Sequence, residues 1–271
     1  MSMPGYWSGL SDEQWALLEP LLNVPGKRGR KYGDDIRDVV DAVLYVTYTG
    51  CQWRQLPRDF GPWTRVWSQF RRWSANGTWA RLLAELHRQA RVRLGRSELP
   101  SMVVMDTHLA RGASVGGVTF HRRGGPCGRT NGARRAVAVD VTGLPLAAAV
   151  LRASAHENEA TQVLLEGMGR QGQRERLGLV KVDKGVTKRA TAKLGRMFGV
   201  SVERVGHAEK KATFVPLAFA WRVEVAHGQL LRQRRLARSF ENTEVSATGW
   251  LLVASIKTVL DAMTAPGFAR T

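Results

Sequence analysis

The sequence predicts an α+β chain in two parts, an all-α, helix-turn-helix-like bundle over residues 1–96 and an α/β domain over residues 97–271. Three observations carry this. Apolar residues recur at helical spacing from Ser11 to Leu94, interrupted by Pro and Gly. From residue 101 the texture changes to short apolar runs and turns, then alternates between helix and strand. Between the two, Gly95 to Pro100 has the composition of a linker.

The first helix is announced by Ser11-Asp12-Glu13-Gln14, a capping-box spacing, with Trp15, Leu18 and Leu22 on one face and an end near Asn23. Val24 to Lys31 follows as a Gly/Pro-broken basic loop, either a solvated connector or an arm along phosphates; Lys27, Arg28, Arg30 and Lys31 favour the arm. A second helix is expected from about Asp34 to Thr49, closed by Gly50. After Pro57 to Pro62 a third helix buries Trp63, Val66, Trp67, Phe70 and Trp73 and turns Arg65, Ser68, Gln69 and Arg72 outward. Arg65, Gln69 and Arg72 are of the types that reach phosphates and base edges from a helix in the major groove, although a solvated face reads the same. A fourth helix spans about Thr78 to Leu94.

In the second part, Met102-Val103-Val104-Met105 is a strand ending in Asp106. Arg134 to Val141 and Pro145 to Leu151 form a hairpin around Thr142-Gly143, with Arg134 and Arg135 as further candidates for DNA backbone contacts. Then come a helix from Asn158 to Met168, the strand Leu179 to Val182 ending in Asp183, a helix from Thr187 to Phe198, a strand from Val200 to Arg204 and a helix bearing Glu224. Three strands followed by alternating helices and strands is the ribonuclease H-like order.

A formal net charge of +18 over 271 residues calls for a polyanionic partner, nucleic acid first, because such a surplus repels itself unless neutralised. The cations are dispersed through folded-looking segments, which argues against a membrane surface as the partner. Cys51 and Cys127 have neither metal-site nor disulfide-framework spacing and suit a reducing cytoplasm. No stretch reads as the eighteen or so consecutive apolar residues of a membrane span, and the N-terminus has no export pattern.

Glu224 falls on a stripe drawn by Leu217, Ala220, Trp221, His227 or Gly228 and Leu231. A buried carboxylate needs a partner. Arg222 or Arg232 could supply it, and a strand-end aspartate is often only a turn former. Asp106, Asp183 and Glu224 from three separated elements nonetheless suggest two shared divalent cations and in-line displacement at phosphorus. Asp140, in its Thr-Gly hairpin, is assigned a turn role; Glu203, Glu241 and Glu244 lie off the Glu224 stripe.

These strings resemble bacterial transposases of the insertion sequence 5 family, within the DDE transposases, over nearly the whole chain. The first part carries Leu10 to Trp15, the Gly-Lys-Arg-Gly-Arg loop, and Thr49 to Pro57 with Pro62-Trp63. The second carries Asp106-Thr107, Val139 to Leu146, Asp183-Lys184-Gly185, and Glu224 with Arg234-Arg235-Leu236 and Phe240-Glu241. The resemblance implies a ribonuclease H-like catalytic domain, Asp106, Asp183 and Glu224 as catalytic metal ligands, two Mg²⁺ ions with Mn²⁺ able to substitute, and action on the inverted ends of a mobile element. It also implies double-stranded DNA as partner, a homodimer or higher oligomer on DNA, and work at the nucleoid. This chain departs from the family pattern at Ala136, Val186 and Val225, where histidine, an aromatic residue and arginine are usual. A domesticated or inactive DNA-binding descendant, or a nuclease of the same fold acting on branched DNA, are the alternative expectations.

Overall fold

A computed structural model describes residues 6–23, 33, 35–113, 122–124, 130–205 and 221–268. The basic stretch with Lys27, Arg28, Arg30 and Lys31 lies outside the described residues, as do Leu217 and Ala220. The first helix, α1, runs Asp12–Leu22, and the Ser11 side chain accepts from the Gln14 backbone N–H at 3.1 Å while Gln14 reciprocates, completing the capping box. Three helices follow: α2 (Ile36–Thr49), ended by Gly50 in the left-handed conformation, α3 (Trp63–Ala75) and α4 (Thr78–Arg93). On α3 the buried stripe is Val66, Phe70 and Trp73; Trp63 and Trp67 are only half-buried, and Trp67 stacks under Arg71.

Among the described residues six strands follow: β1 (Met102–Arg111), β2 (Arg122–Gly124), β3 (Thr130–Asp140), β4 (Pro145–Arg152), β5 (Leu179–Asp183) and β6 (Ser201–Val205). They make one mixed sheet in which β1 is flanked by antiparallel β3 and parallel β5, with β6 parallel beyond β5. The outer edge of β3 carries β4 and, near its start, β2. Because side chains alternate along each strand, the sheet has two apolar faces. One, with Val103, Met105, Ala136, Ala138, Val180 and Val182, packs on helix α5 (Glu157–Arg170) and reaches α6 (Lys188–Phe198) through Ala190 and Phe198. The other, with Val104, Val137, Val139 and Val150, packs on α7 (Trp221–Leu230) and α8 (Glu244–Met263).

Helix α8 was not legible in the sequence. Its Thr243 cap accepts from Ser246, and twelve of its residues are buried, among them Trp250, Ile256 and Leu260. By length and composition alone it could cross a membrane, which corrects the reading that no such stretch exists. It instead lies between the N-terminal helices and β4, where Trp250 stacks on Phe70 with ring centroids 4.1 Å apart. Helices α1 to α4, α8 and one face of the sheet therefore share a single core.

Candidate active site

Strand β1 does not stop at Asp106 but runs five residues further, paired with β3 as far as Arg111. What ends at Met105 is the parallel ladder with β5, whose last pair is Met105 with Val182. Both of those side chains are buried under α5. The next residues, Asp106 and Asp183, therefore project from neighbouring strands toward the opposite face, the one that carries α7. A carboxylate pair at the point where two parallel strands part is the arrangement expected of a site at carboxyl strand ends.

The stripe drawn for Glu224 is corrected by the structure. The residues of α7 that face the core are Val223, Ala226, His227 and Leu230, whereas Trp221, Glu224, Val225 and Leu231 are exposed. Glu224 thus borders the buried face without entering it. Its charge is still felt at Asp106, whose carboxyl is pushed up to about 6 by burial first and then by Asp183, Glu157 and Glu224. Among the described residues, no three His, Cys, Asp or Glu side chains converge closely enough to hold one metal ion.

Two neighbours of Asp106 escaped the sequence reading. Glu157, in the first turn of α5, lines a narrow cleft with Asp106, Thr107, Asp183 and Val186. Arg134 holds one of its carboxylate oxygens at 3.2 Å and the Thr107 hydroxyl at 2.7 Å, while the other, Oε2, is buried without a hydrogen-bond partner. Gly185 makes room for it, since a Cβ there would collide with the Glu157 carboxylate. No sequence signal marks Glu157, because its place depends on the crossing of α5 over the sheet. His227 is the second neighbour, with Nε2 3.7 Å from Asp106 Oδ2. Burial, and then the nearby His108, lower its pKa to about 4, so the ring is neutral near pH 7. Its spacing of three residues from Glu224 was a usable signal, since positions i and i+3 are neighbours on a helix surface.

The proposed DNA-contacting residues separate into distinct settings. Arg65 and Arg72 are exposed on α3, Arg65 paired with Asp35 and Arg72 donating to Gln69 at 3.2 Å. Arg134 faces the acidic cleft. Arg135 is 5% exposed and donates to the backbone carbonyls of Leu236 and Arg238, so it acts as an internal strut and is not available to phosphate. Burial lowers its pKa to about 10. The other acids considered are engaged elsewhere: Glu241 pairs with Arg235 and Ser246, and Glu244 accepts the Arg152 backbone N–H at 3.0 Å. Asp140 accepts the Thr142 backbone N–H at 2.8 Å in its turn and also meets Arg91 and His87 in the core.

Comparison with known proteins gives the chain a family. Residues 10–83 match the family model described as "Putative transposase of IS4/5 family". The insertion element IS402 uncharacterized 16.2 kDa protein of Burkholderia cepacia is 34% identical over 102 residues, which is 34% of this chain and 69% of that protein. The uncharacterized protein y4sN of Sinorhizobium fredii is 33% identical over 84 residues, 30% of this chain and 66% of the relative. Among solved structures, the crystal structure of the Mos1 strand transfer complex is 15% identical, covering 87% of this chain and 77% of that one, with a TM-score of 0.31. The chain belongs to the IS4/5 family of insertion-sequence transposases.

Proposed function

We propose that the chain binds the terminal inverted repeats of an insertion sequence and catalyses metal-dependent DNA strand cleavage and strand transfer. The observation that carries this reading is the side-by-side placement of Asp106 and Asp183 where the parallel pairing of β1 with β5 ends, with Glu224 on α7, the helix that packs against β1. The strand order, with β4, β3 and β1 antiparallel and then β5 and β6 parallel to β1, is that of the ribonuclease H-like fold and supports it.

The three carboxylates by themselves suit a hard divalent cation such as magnesium. Carboxylate oxygens are hard ligands, and Asp106, pushed up by burial first, is raised further by the neighbouring charges of Asp183, Glu157 and Glu224, so the acids stand close enough to feel one another. Asp106 and Asp183 would hold the ions from the sheet and Glu224 from α7, with water and phosphate oxygens completing coordination, as magnesium sites in phosphoryl chemistry allow. Two Mg²⁺ ions, or Mn²⁺ in their place, would supply Lewis acidity to the attacking and leaving oxygens of an in-line displacement. Val186, 2% exposed, gives the cleft an apolar wall, and Arg134 pairs with Glu157 beside the acids. On α3, Arg65, Gln69 and Arg72 read the element ends, with Lys27, Arg28, Arg30 and Lys31 along the phosphates. Residues 1–96 serve as the DNA-binding part and 97–271 as the catalytic part, working at the nucleoid as a dimer or higher oligomer that brings two ends together.

Nicking of a duplex carrying the element's ends, assayed with Mg²⁺, tests the assignment. Asp106→Asn, Asp183→Asn and Glu224→Gln should each abolish cleavage while binding of the same duplex persists. Undiminished cleavage by Glu224→Ala would remove that residue from the mechanism. A second reading, a domesticated DNA-binding descendant, is favoured by the exposed position of Glu224 and by Ala136, Val186 and Val225. It requires end binding with no metal-dependent cleavage by the unaltered chain.

A further inference from the structure

The site holds a nitrogen donor outside the three acids. His227 is 8% exposed, and its Nε2 is buried with no hydrogen-bond partner. Leaving such an atom unsatisfied carries a free-energy cost, so an orphaned ring nitrogen aimed at a carboxylate needs a reason. The distance narrows the reasons. At 3.7 Å from Asp106 Oδ2, Nε2 is beyond hydrogen-bonding reach, yet too close for a water to stand between them with two good hydrogen bonds. A shared cation suits the gap, because two ligands each about 2.1 Å from one ion stand at most about 4.2 Å apart. Glu224 lies three residues earlier on α7, on the neighbouring surface of the helix.

We propose that His227 is a ligand of the divalent ion held by Asp106, which makes the site a mixed imidazole–carboxylate centre that selects Mn²⁺ over Mg²⁺. Magnesium favours oxygen ligands and gives up water reluctantly, whereas first-row transition ions accept imidazole readily. The inference rests on the metal-dependent reading above and adds a fourth protein donor to it. Because Glu224 sits on the same helix, ligation by His227 also anchors α7 against the two strand ends.

The test is direct metal binding by the full-length, chelator-stripped protein without DNA. Mn²⁺ and Mg²⁺ are titrated calorimetrically into the unaltered chain, His227→Phe, His227→Gln and Asp106→Asn, and Mn²⁺ bound to the unaltered chain is probed by pulsed electron paramagnetic resonance for coupling to nitrogen. The expected results are a nitrogen coupling, tighter binding of Mn²⁺ than Mg²⁺, and a loss of at least about tenfold in Mn²⁺ affinity in both His227 variants. Mg²⁺ affinity should change little in those variants. Absence of nitrogen coupling, or Mn²⁺ preference that persists in both variants, overturns the role of His227. Mn²⁺ binding lost in Asp106→Asn but intact in the His227 variants leaves the three-acid reading standing and sinks only this inference. Binding unaffected by Asp106→Asn, or no binding of either ion to the unaltered chain, sinks both.

Discussion

Asp140 carries a charge with no exposed surface, held by Arg91, His87 and its own Thr142 turn. Burial alone would raise its pKa, but His87, the Thr142 hydroxyl and Arg91 hold it well below the usual carboxylate range. Removing the carboxylate strands a buried guanidinium, so Asp140→Ala should cost about 3–5 kcal/mol in a urea or guanidinium unfolding experiment. The sign of the pH dependence follows from the depressed pKa. The contribution is complete above the unfolded value of about 4 and is lost as pH falls toward the folded value. The stability gap between the unaltered chain and Asp140→Asn should therefore be widest near neutrality and close in acid; a gap independent of pH would show that Asp140 is not ionised in the fold. At the same scale, Gly185→Ala should displace the Glu157 carboxylate and weaken Mg²⁺-supported nicking without lowering DNA affinity.

Elements depend on single anchors to different degrees. Helix α1 is closed by Ser11, and Ser11→Ala should cost about 1 kcal/mol, read as a small fall in the urea midpoint. Helix α8 depends on Trp250, which is 1% exposed and stacks on Phe70, lies near Trp53 and sits under Arg235. Trp250→Ala should cost about 3–5 kcal/mol, because an aromatic cavity there touches α3, α8 and the segment after α7 at once. A cost near that of Ser11→Ala would mean that α8 is not the shared core element described above.

Over the whole molecule, the N-terminal helices and the sheet are joined through α8 and through the Arg91–Asp140 pair. Calorimetric unfolding should accordingly show one transition; two well-separated ones would mean that the bundle folds on its own. The +18 charge sets the partner's physics. Cations are exposed on α3 at Arg65, Arg71 and Arg72 and on α6 at Lys188, Arg189, Lys193 and Arg196, and α6 contains no acid. DNA affinity should fall steeply with salt, and replacing Arg65 and Arg72 with Ala should reduce the slope of log K against log salt by about 0.9 for each phosphate no longer neutralised. An unchanged slope would remove α3 from the interface.

Most helices and strands were legible because they are local: a capping box, a left-handed glycine at Gly50 and period-two runs depend on neighbours a few residues away. That Asp106 and Asp183 each follow a short apolar run was legible for the same reason, but that β1 continues past Asp106 and that the two strands are neighbours was not. Helix α8 was hidden because its buried residues run continuously from Gly249 to Ile256 around the helix, which leaves no narrow amphipathic stripe to detect. The facing of α7, the burial of Arg135 and the roles of Glu157 and His227 were decided only by tertiary structure. Each depends on which helix crosses which strand, and a difference of one position around a helix turns a side chain by about 100°. The sequence by itself determined the elements, the charge and the acids' place on the chain; the crossing of α5 and α7 over the sheet determined which groups stand beside Asp106.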